Sequence, residues 1–153
     1  MDTSSYNDDF YSSVFSEEKE DYYQMHKKKI ETAIELMEKR MKPDDVTRIL
    51  DIGCGDGLVA EMIGKRFGAK AHGIEISKSA SDDAGKKGVE VVNADITKKK
   101  LPYKDNYFDI IFCGDVIEHI YDTEKAIDEI KRILRPKGLL VVTVPNLASW
   151  YNR

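Results

Sequence analysis

Ile49-Leu50-Asp51-Ile52-Gly53-Cys54-Gly55-Asp56-Gly57 decides the fold, because an apolar strand ends in a carboxylate and runs into glycines at every second position. A helix opens directly after it at Leu58. Glycines without a Cβ let the chain turn sharply and let a ligand lie against the main chain, and the first turn of a helix offers unpaired N–H groups. These are the features of a nucleotide-cofactor loop. The spacing G-x-G-x-G, with Asp51 two residues before the first glycine, differs from the G-x-G-x-x-G of dinucleotide sites. Taken alone, a tight strand-to-helix turn would want the same glycines.

Outward from this loop, short apolar runs alternate with helical stretches. Strands are expected at 46–52, 71–76, 89–93, 107–113 and 139–144. Between them lie a helix from Leu58 to Phe67 closed by Gly68, and a polar helix from Ser77 to Lys87 with Ser77 as N-cap and Gly88 as stop. A third helix, capped by Asp122, carries Ala126, Ile127, Ile130, Ile133 and Leu134 as one apolar stripe, with Arg132 and Arg135 near its end. Parallel strands need crossovers, and right-handed ones. The pattern therefore predicts an α/β fold: a Rossmann-like, doubly wound, mostly parallel sheet of order 3-2-1-4-5, with ligands at the carboxyl ends of strands 1 and 4.

Segments at successive strand ends fit one further pattern. Glu75 closes strand 2 in Gly73-Ile74-Glu75-Ile76-Ser77, 18 residues past Gly57. A carboxylate there can accept from both hydroxyls of an adenosine ribose, whichever cofactor carries it. Asn93-Ala94-Asp95-Ile96 follows strand 3, Phe108-Asp109-Ile110-Ile111-Phe112-Cys113-Gly114 runs along strand 4 and past its end, and Leu134-Arg135-Pro136-Lys137-Gly138 turns into strand 5. In order and spacing these segments resemble the class I S-adenosylmethionine (SAM) dependent methyltransferases, the broad group with small-molecule acceptors, over roughly residues 46 to 146. The resemblance implies SAM as cofactor. It places Gly53, Gly55, Gly57 and Gly114 at the methionine end, Glu75 at the ribose, and Asp95 and Ile96 at the adenine, with Asp51, Cys54 and Ile76 also among the cofactor-binding residues.

Methyl transfer from SAM asks the protein for orientation, desolvation and sometimes a base. Asp115-Val116-Ile117-Glu118-His119 is the candidate segment. It resembles the acidic-x-x-Glu-His segment of the ubiquinone-biosynthesis O-methyltransferases and the small-RNA 2′-O-methyltransferases, where these positions bind a divalent metal. On one helical turn the three side chains would face the same way. Local hydrogen bonding by Glu118 and packing of His119 near the cofactor is the reading preferred over a metal, and no metal is assigned. Glu118 and His119 stand as the candidate catalytic pair, since an imidazole is suited to proton transfer near neutral pH.

Composition bounds the rest. The chain has 153 residues, enough for one domain with a core, and 34 % of them are charged for a net charge of −4. That excludes a basic field for nucleic acid, and the runs Lys27-Lys28-Lys29 and Lys98-Lys99-Lys100 read as solvated surface. No apolar run approaches the roughly 20 residues that span a bilayer, and the start has no leader pattern, so a cytoplasmic protein is expected. Cys54 and Cys113 lack C-x-x-C spacing and are expected as buried thiols.

Residues 1–45 are expected to form an arm and an amphipathic helix ahead of the cofactor domain at 46–153. Their dense aromatics, Tyr6, Phe10, Tyr11, Phe15, Tyr22 and Tyr23, fit either a lid over the cofactor or core anchors for that helix. The sequence ends at Arg153, before the sixth and seventh strands of the resembled fold. Strand 5 would then be an edge needing cover from the N-terminal helix, a partner or a second copy. A catalytic methyltransferase, a non-catalytic SAM-binding or partner-activating subunit, and a nucleotide-dependent oxidoreductase are the functions to separate; the glycine spacing and Asp95 argue against the last.

Overall fold

A computed structural model describes residues 19–98 and 100–145, with side chains from residue 27 onward. The order of elements is α1 (Lys19–Arg40), β1 (Arg48–Ile52), α2 (Leu58–Phe67), β2 (Lys70–Glu75), α3 (Lys78–Lys86), β3 (Glu90–Asn93), β4 (Phe108–Gly114), α4 (Thr123–Ile133) and β5 (Leu134–Thr143). All strand pairs are parallel and the sheet order is β3-β2-β1-β4-β5. This is the expected doubly wound arrangement. The aromatics at positions 6 to 23, the run after Pro145 and Lys99 lie outside what is described of side chains.

Successive side chains of a strand point to opposite faces, so β1 and β4 feed two cores. On one face Ile49, Ile110 and Phe112 meet Ile30, Ala33, Ile34 and Met37 of α1 and Ala60, Ile63 and Phe67 of α2. On the other, Leu50, Ile52, Ile74, Phe108, Ile111 and Cys113 meet Ala126, Ile130 and Ile133 of α4. Ala126, Ile130 and Ile133 thus form the apolar stripe expected from their spacing, while Leu134, expected as its last member, lies outside the helix and begins β5. Truncating a fully buried residue such as Ile130 to alanine would cost about 2–5 kcal/mol.

Helix ends follow the local chemistry. Gly68 takes φ +62° and sends its N–H to the carbonyls of Gly64 and Lys65, while the Ser77 hydroxyl accepts from Ala80 N–H and the Asp122 carboxylate from Lys125 N–H. Arg132 does more than face a helix dipole. Its guanidinium binds Glu129, Asp105 and the carbonyls of Leu101 and Tyr103, fixing the 101–107 segment over the sheet. Arg135 pairs with Asp109 at 2.8 Å. Asp109 also accepts from the N–H groups of Thr47 and Arg48. Burial pushes the Asp109 carboxyl up, but these bonds outweigh it and hold it below its ordinary range.

Strand 5 departs from its expected start. Its pairing begins at Leu134, beside Phe108, and then jumps to Leu139 beside Ile110. Pro136-Lys137-Gly138 forms the excursion, with Lys137 at φ +63°. Among the described residues β5 pairs only with β4, and Val142 on it and Val144 just after it are exposed. No helix among them is long and apolar enough to cross a membrane. Both cysteines are buried and free.

At the amino ends of the strands, His72 is 3 % exposed and ringed by Tyr103, Tyr107 and Phe108 at centroid distances of 5.3–5.8 Å. Burial lowers its pKa, against the pull of Glu90. The folded state therefore disfavours a proton that the unfolded chain binds near its ordinary value of 6.5. Stability contributed by neutral His72 is full above that value and lost as pH falls toward the depressed folded one. Denaturant titrations from pH 7 down to pH 5 should show a decline in unfolding free energy that His72→Phe reduces; an identical decline in the variant would remove this assignment.

Candidate cofactor and acceptor site

Because every strand runs the same way, the carboxyl ends of β1 to β4 share one edge of the sheet. The residues singled out from sequence as cofactor-binding all lie there: Asp51 to Gly57 after β1, Glu75 and Ile76 after β2, Asp95 and Ile96 after β3, and Gly114 closing β4. Two surface clefts of about 560 and 540 Å³, one between α1 and α2 and one beside β3, share no residue with this edge.

Gly53, Gly55 and Gly57 have φ of +71°, +52° and +80°, the left-handed region that side chains resist. Close approach adds a second reason at two of them. A Cβ on Gly53 would lie 2.4 Å from Val116 Cγ2, and one on Gly57 would lie 2.7 Å from Ala84 Cβ in α3. Gly57 N–H returns to Cys54 carbonyl at 2.8 Å, and Asp56 accepts from Leu58 N–H. Lys87, the residue that caps the end of α3, holds Asp56 at 2.7 Å. The Cys54 side chain turns inward onto Gly73, where a Cβ would meet its sulfur at 2.4 Å, so only the Cys54 backbone can face a ligand.

Glu75 is 2 % exposed, with one oxygen accepting from Gly55 N–H at 2.9 Å and the other from Ser77 N–H at 2.8 Å. It ties the glycine loop to the start of α3. Asn93 fixes the chain beneath it by donating to the carbonyls of Glu75 and Ile76 at 2.9 and 3.0 Å. Asp95 accepts from the N–H and hydroxyl of Thr97 through one oxygen, leaving the other facing Lys98 at 3.3 Å. Burial raises the Asp95 carboxyl, but those bonds prevail and the net shift is downward. Ile96 is buried beside it.

Asp51 pairs in register with Gly73, one strand residue short of the edge and on the same face as Glu75. Burial first, and then the charge of Glu75, push its carboxyl up to about 8. Burial likewise raises the Cys54 thiol. Near neutral pH the folded protein therefore keeps a proton on Asp51 that the unfolded chain has released. Stability from this group is full below the unfolded carboxyl value of 3.8 and falls as pH rises toward 8.

The candidate catalytic segment takes a shape other than the one its spacing suggested. Asp115 has φ +54°, Val116 breaks the helical path, and Ile117–His119 is one short 3-10 turn. Asp115, Glu118 and His119 thus do not share an α-helical turn, and Glu118 and His119 are exposed. Among the described residues no group of three or more His, Cys, Asp or Glu is placed to hold a metal. The Asp115 carboxylate is instead taken by Lys29 of α1, at 2.5 and 2.6 Å. Lys29, with Asn93, Lys87 and Val116, completes the site without a sequence signal that singles it out. Of the Lys27-Lys28-Lys29 run read as solvated, only Lys28 is exposed, and Lys27 and Lys29 are half-buried.

The family model of a methyltransferase domain matches residues 50–142, the span that carries this edge. The ubiquinone biosynthesis O-methyltransferase of Rhizobium etli is 35 % identical over 112 residues, which cover 71 % of this chain and 45 % of that protein. A glycine/sarcosine/dimethylglycine N-methyltransferase of Actinopolyspora halophila is 32 % identical over 133 residues, 80 % of this chain and 24 % of that protein. The chain thus spans less than half the length of these relatives. A Thermotoga maritima structure described as a SAM-dependent methyltransferase, possible histamine N-methyltransferase, superposes with a TM-score of 0.67 at 26 % identity. It covers 90 % of this chain and 62 % of that one.

Two outcomes check the site's physics. Asp51→Asn should flatten the fall in unfolding free energy between pH 5 and 8, a slope of up to about 1.4 kcal/mol per pH unit for one proton; an unchanged slope would mean that Asp51 is ionised. Gly57→Ala should destabilise the fold by about 1–3 kcal/mol in urea titration, from the left-handed backbone and the contact with Ala84.

Proposed function

Because the chain belongs to the class I SAM-dependent methyltransferases, we propose that it binds SAM along the carboxyl edge of β1 to β4 and transfers its methyl group to a small-molecule acceptor. The observation that carries this reading is the meeting of the glycine loop, Glu75 and Asp95 at one edge, from three strand ends. When bound, SAM supplies a methyl already activated by its sulfonium. The chain's part is to bind, orient and exclude water.

The left-handed loop from Gly53 to Gly57 offers main chain unobstructed by Cβ atoms to the methionine end. Glu75, turned outward, accepts from the ribose hydroxyls, and the Asp95 oxygen not bound to Thr97 accepts from the adenine amino group. Ile96 supports the ring. Glu118 and His119, exposed on the turn after β4, meet the acceptor and take or orient its proton. The R. etli relative is named for methylation at oxygen and the A. halophila relative at nitrogen. They support a small acceptor without choosing its nucleophilic atom.

Calorimetric titration should show binding of SAM and S-adenosylhomocysteine but not NAD, with Glu75→Ala weakening SAM by about tenfold or more. Uptake of NAD in place of SAM would overturn the assignment. Glu118→Ala and His119→Ala should leave SAM affinity within about twofold, below the tenfold that 1.4 kcal/mol would bring, while lowering incorporation of labelled methyl into acceptors. Loss of SAM binding in both would make that turn part of the cofactor site.

A further inference from the structure

The Lys29–Asp115 pair joins residues 86 positions apart, and both carboxylate oxygens are engaged by one ammonium. Neither partner is a freely solvated surface charge: the side chains are 33 % and 23 % exposed. Lys29 stands on a fixed base, since the next residue, Ile30, is buried with Ala33, Ile34 and Met37 in the core under α1. Asp115 stands at the exit of β4, in a left-handed conformation that a non-glycine residue adopts only when its surroundings hold it there. Its N–H is held by the carbonyl of Thr143 in β5 at 2.9 Å, and its side chain by Lys29.

The direction in which the chain leaves Asp115 places Val116. That side chain sits directly on Gly53, where a Cβ would come within 2.4 Å of it, so the glycine loop and the β4 exit can shift only together. The Val116 carbonyl accepts from His119 N–H at 2.9 Å and so closes the turn that carries Glu118 and His119. One ion pair thus stands behind two separate parts of the site. We propose that Lys29 is a positioning residue for methyl transfer: through Asp115 and Val116, its ammonium sets the glycine loop for SAM and the Glu118–His119 turn for the acceptor. The proposal rests on the SAM reading given above. It also gives Asp115 a fixed cationic partner within the chain.

The test is calorimetric titration of SAM into the wild-type chain, Lys29→Met, Lys29→Arg, Asp115→Asn and the Lys29→Met/Asp115→Asn double variant, with amide NMR spectra of each. Lys29→Met and Asp115→Asn should each weaken SAM by about three- to tenfold, the range for one partly exposed pair acting through a loop. The double variant should match the single ones, and Lys29→Arg should stay near wild type. In Lys29→Met the amides of Gly53, Val116 and His119 should shift while that of Gly88, at the far end of α3, stays in place. A wild type that binds SAM while Lys29→Met and Asp115→Asn bind it within twofold would overturn the proposal alone. So would losses that simply add, or a lowered melting temperature with SAM affinity untouched. A wild type that takes up no SAM would overturn the cofactor reading, and the proposal with it.

Discussion

The buried carboxylate of Glu75 holds the candidate site together, by accepting from Gly55 N–H on one side and Ser77 N–H on the other. Charge-assisted bonds to backbone donors are among the stronger ones a protein makes. Here they fasten the glycine loop to the head of α3, and Gly57 against Ala84 and Lys87 on Asp56 fasten the same two elements again. The loop is therefore braced by the chain's own contacts. In the proposed SAM complex this carboxylate would exchange its internal partners for the ribose hydroxyls. Such an exchange would keep the carboxylate satisfied, as burial at 2 % exposure demands.

Around this bond the electrostatics are lopsided. Asp51, Cys54 and Glu75 lie on one face with Gly73 between the strands leaving room for the thiol. Burial and mutual repulsion push Asp51 up to about 8, so the protein holds a proton there rather than a second buried charge. The positive charge at the other side of the glycine loop comes from α1, where Lys29 meets Asp115. The loop is thus bracketed by an anionic pocket under β2 and a neutralised carboxylate at the exit of β4.

Much of this was legible in sequence because its causes are local. Alternating apolar runs, Gly68 after α2, Ser77 before α3 and Asp122 before α4 each act within a few residues, and the parallel order follows from their alternation. That Glu75 and Asp95 share one edge was legible for the same reason: a strand end is recognisable, and parallel strands bring their ends together. What escaped depends on distant contacts. The spacing of Asp115, Glu118 and His119 suggested one helical turn, but Asp115 is held at φ +54° by Thr143 and Lys29, and a 3-10 turn comes next. Lys29 looked like one of three surface lysines because nothing near it in sequence marks its partner 86 residues on. Strand 5 began early because Leu134 pairs with Phe108 before the Pro136–Gly138 excursion, a matter of register with β4 that the turn residues hide.

The claim on which everything else rests is that the carboxyl edge of β1 to β4 takes an adenosine cofactor. A crystal structure of the chain with S-adenosylhomocysteine tests it directly. The expected result has the ribose hydroxyls on Glu75, turned away from Gly55 and Ser77, the adenine amino group on Asp95, and the amino-acid end along Gly53 to Gly57. Adenosine bound elsewhere, with Glu75 still accepting from Gly55 and Ser77, would contradict it.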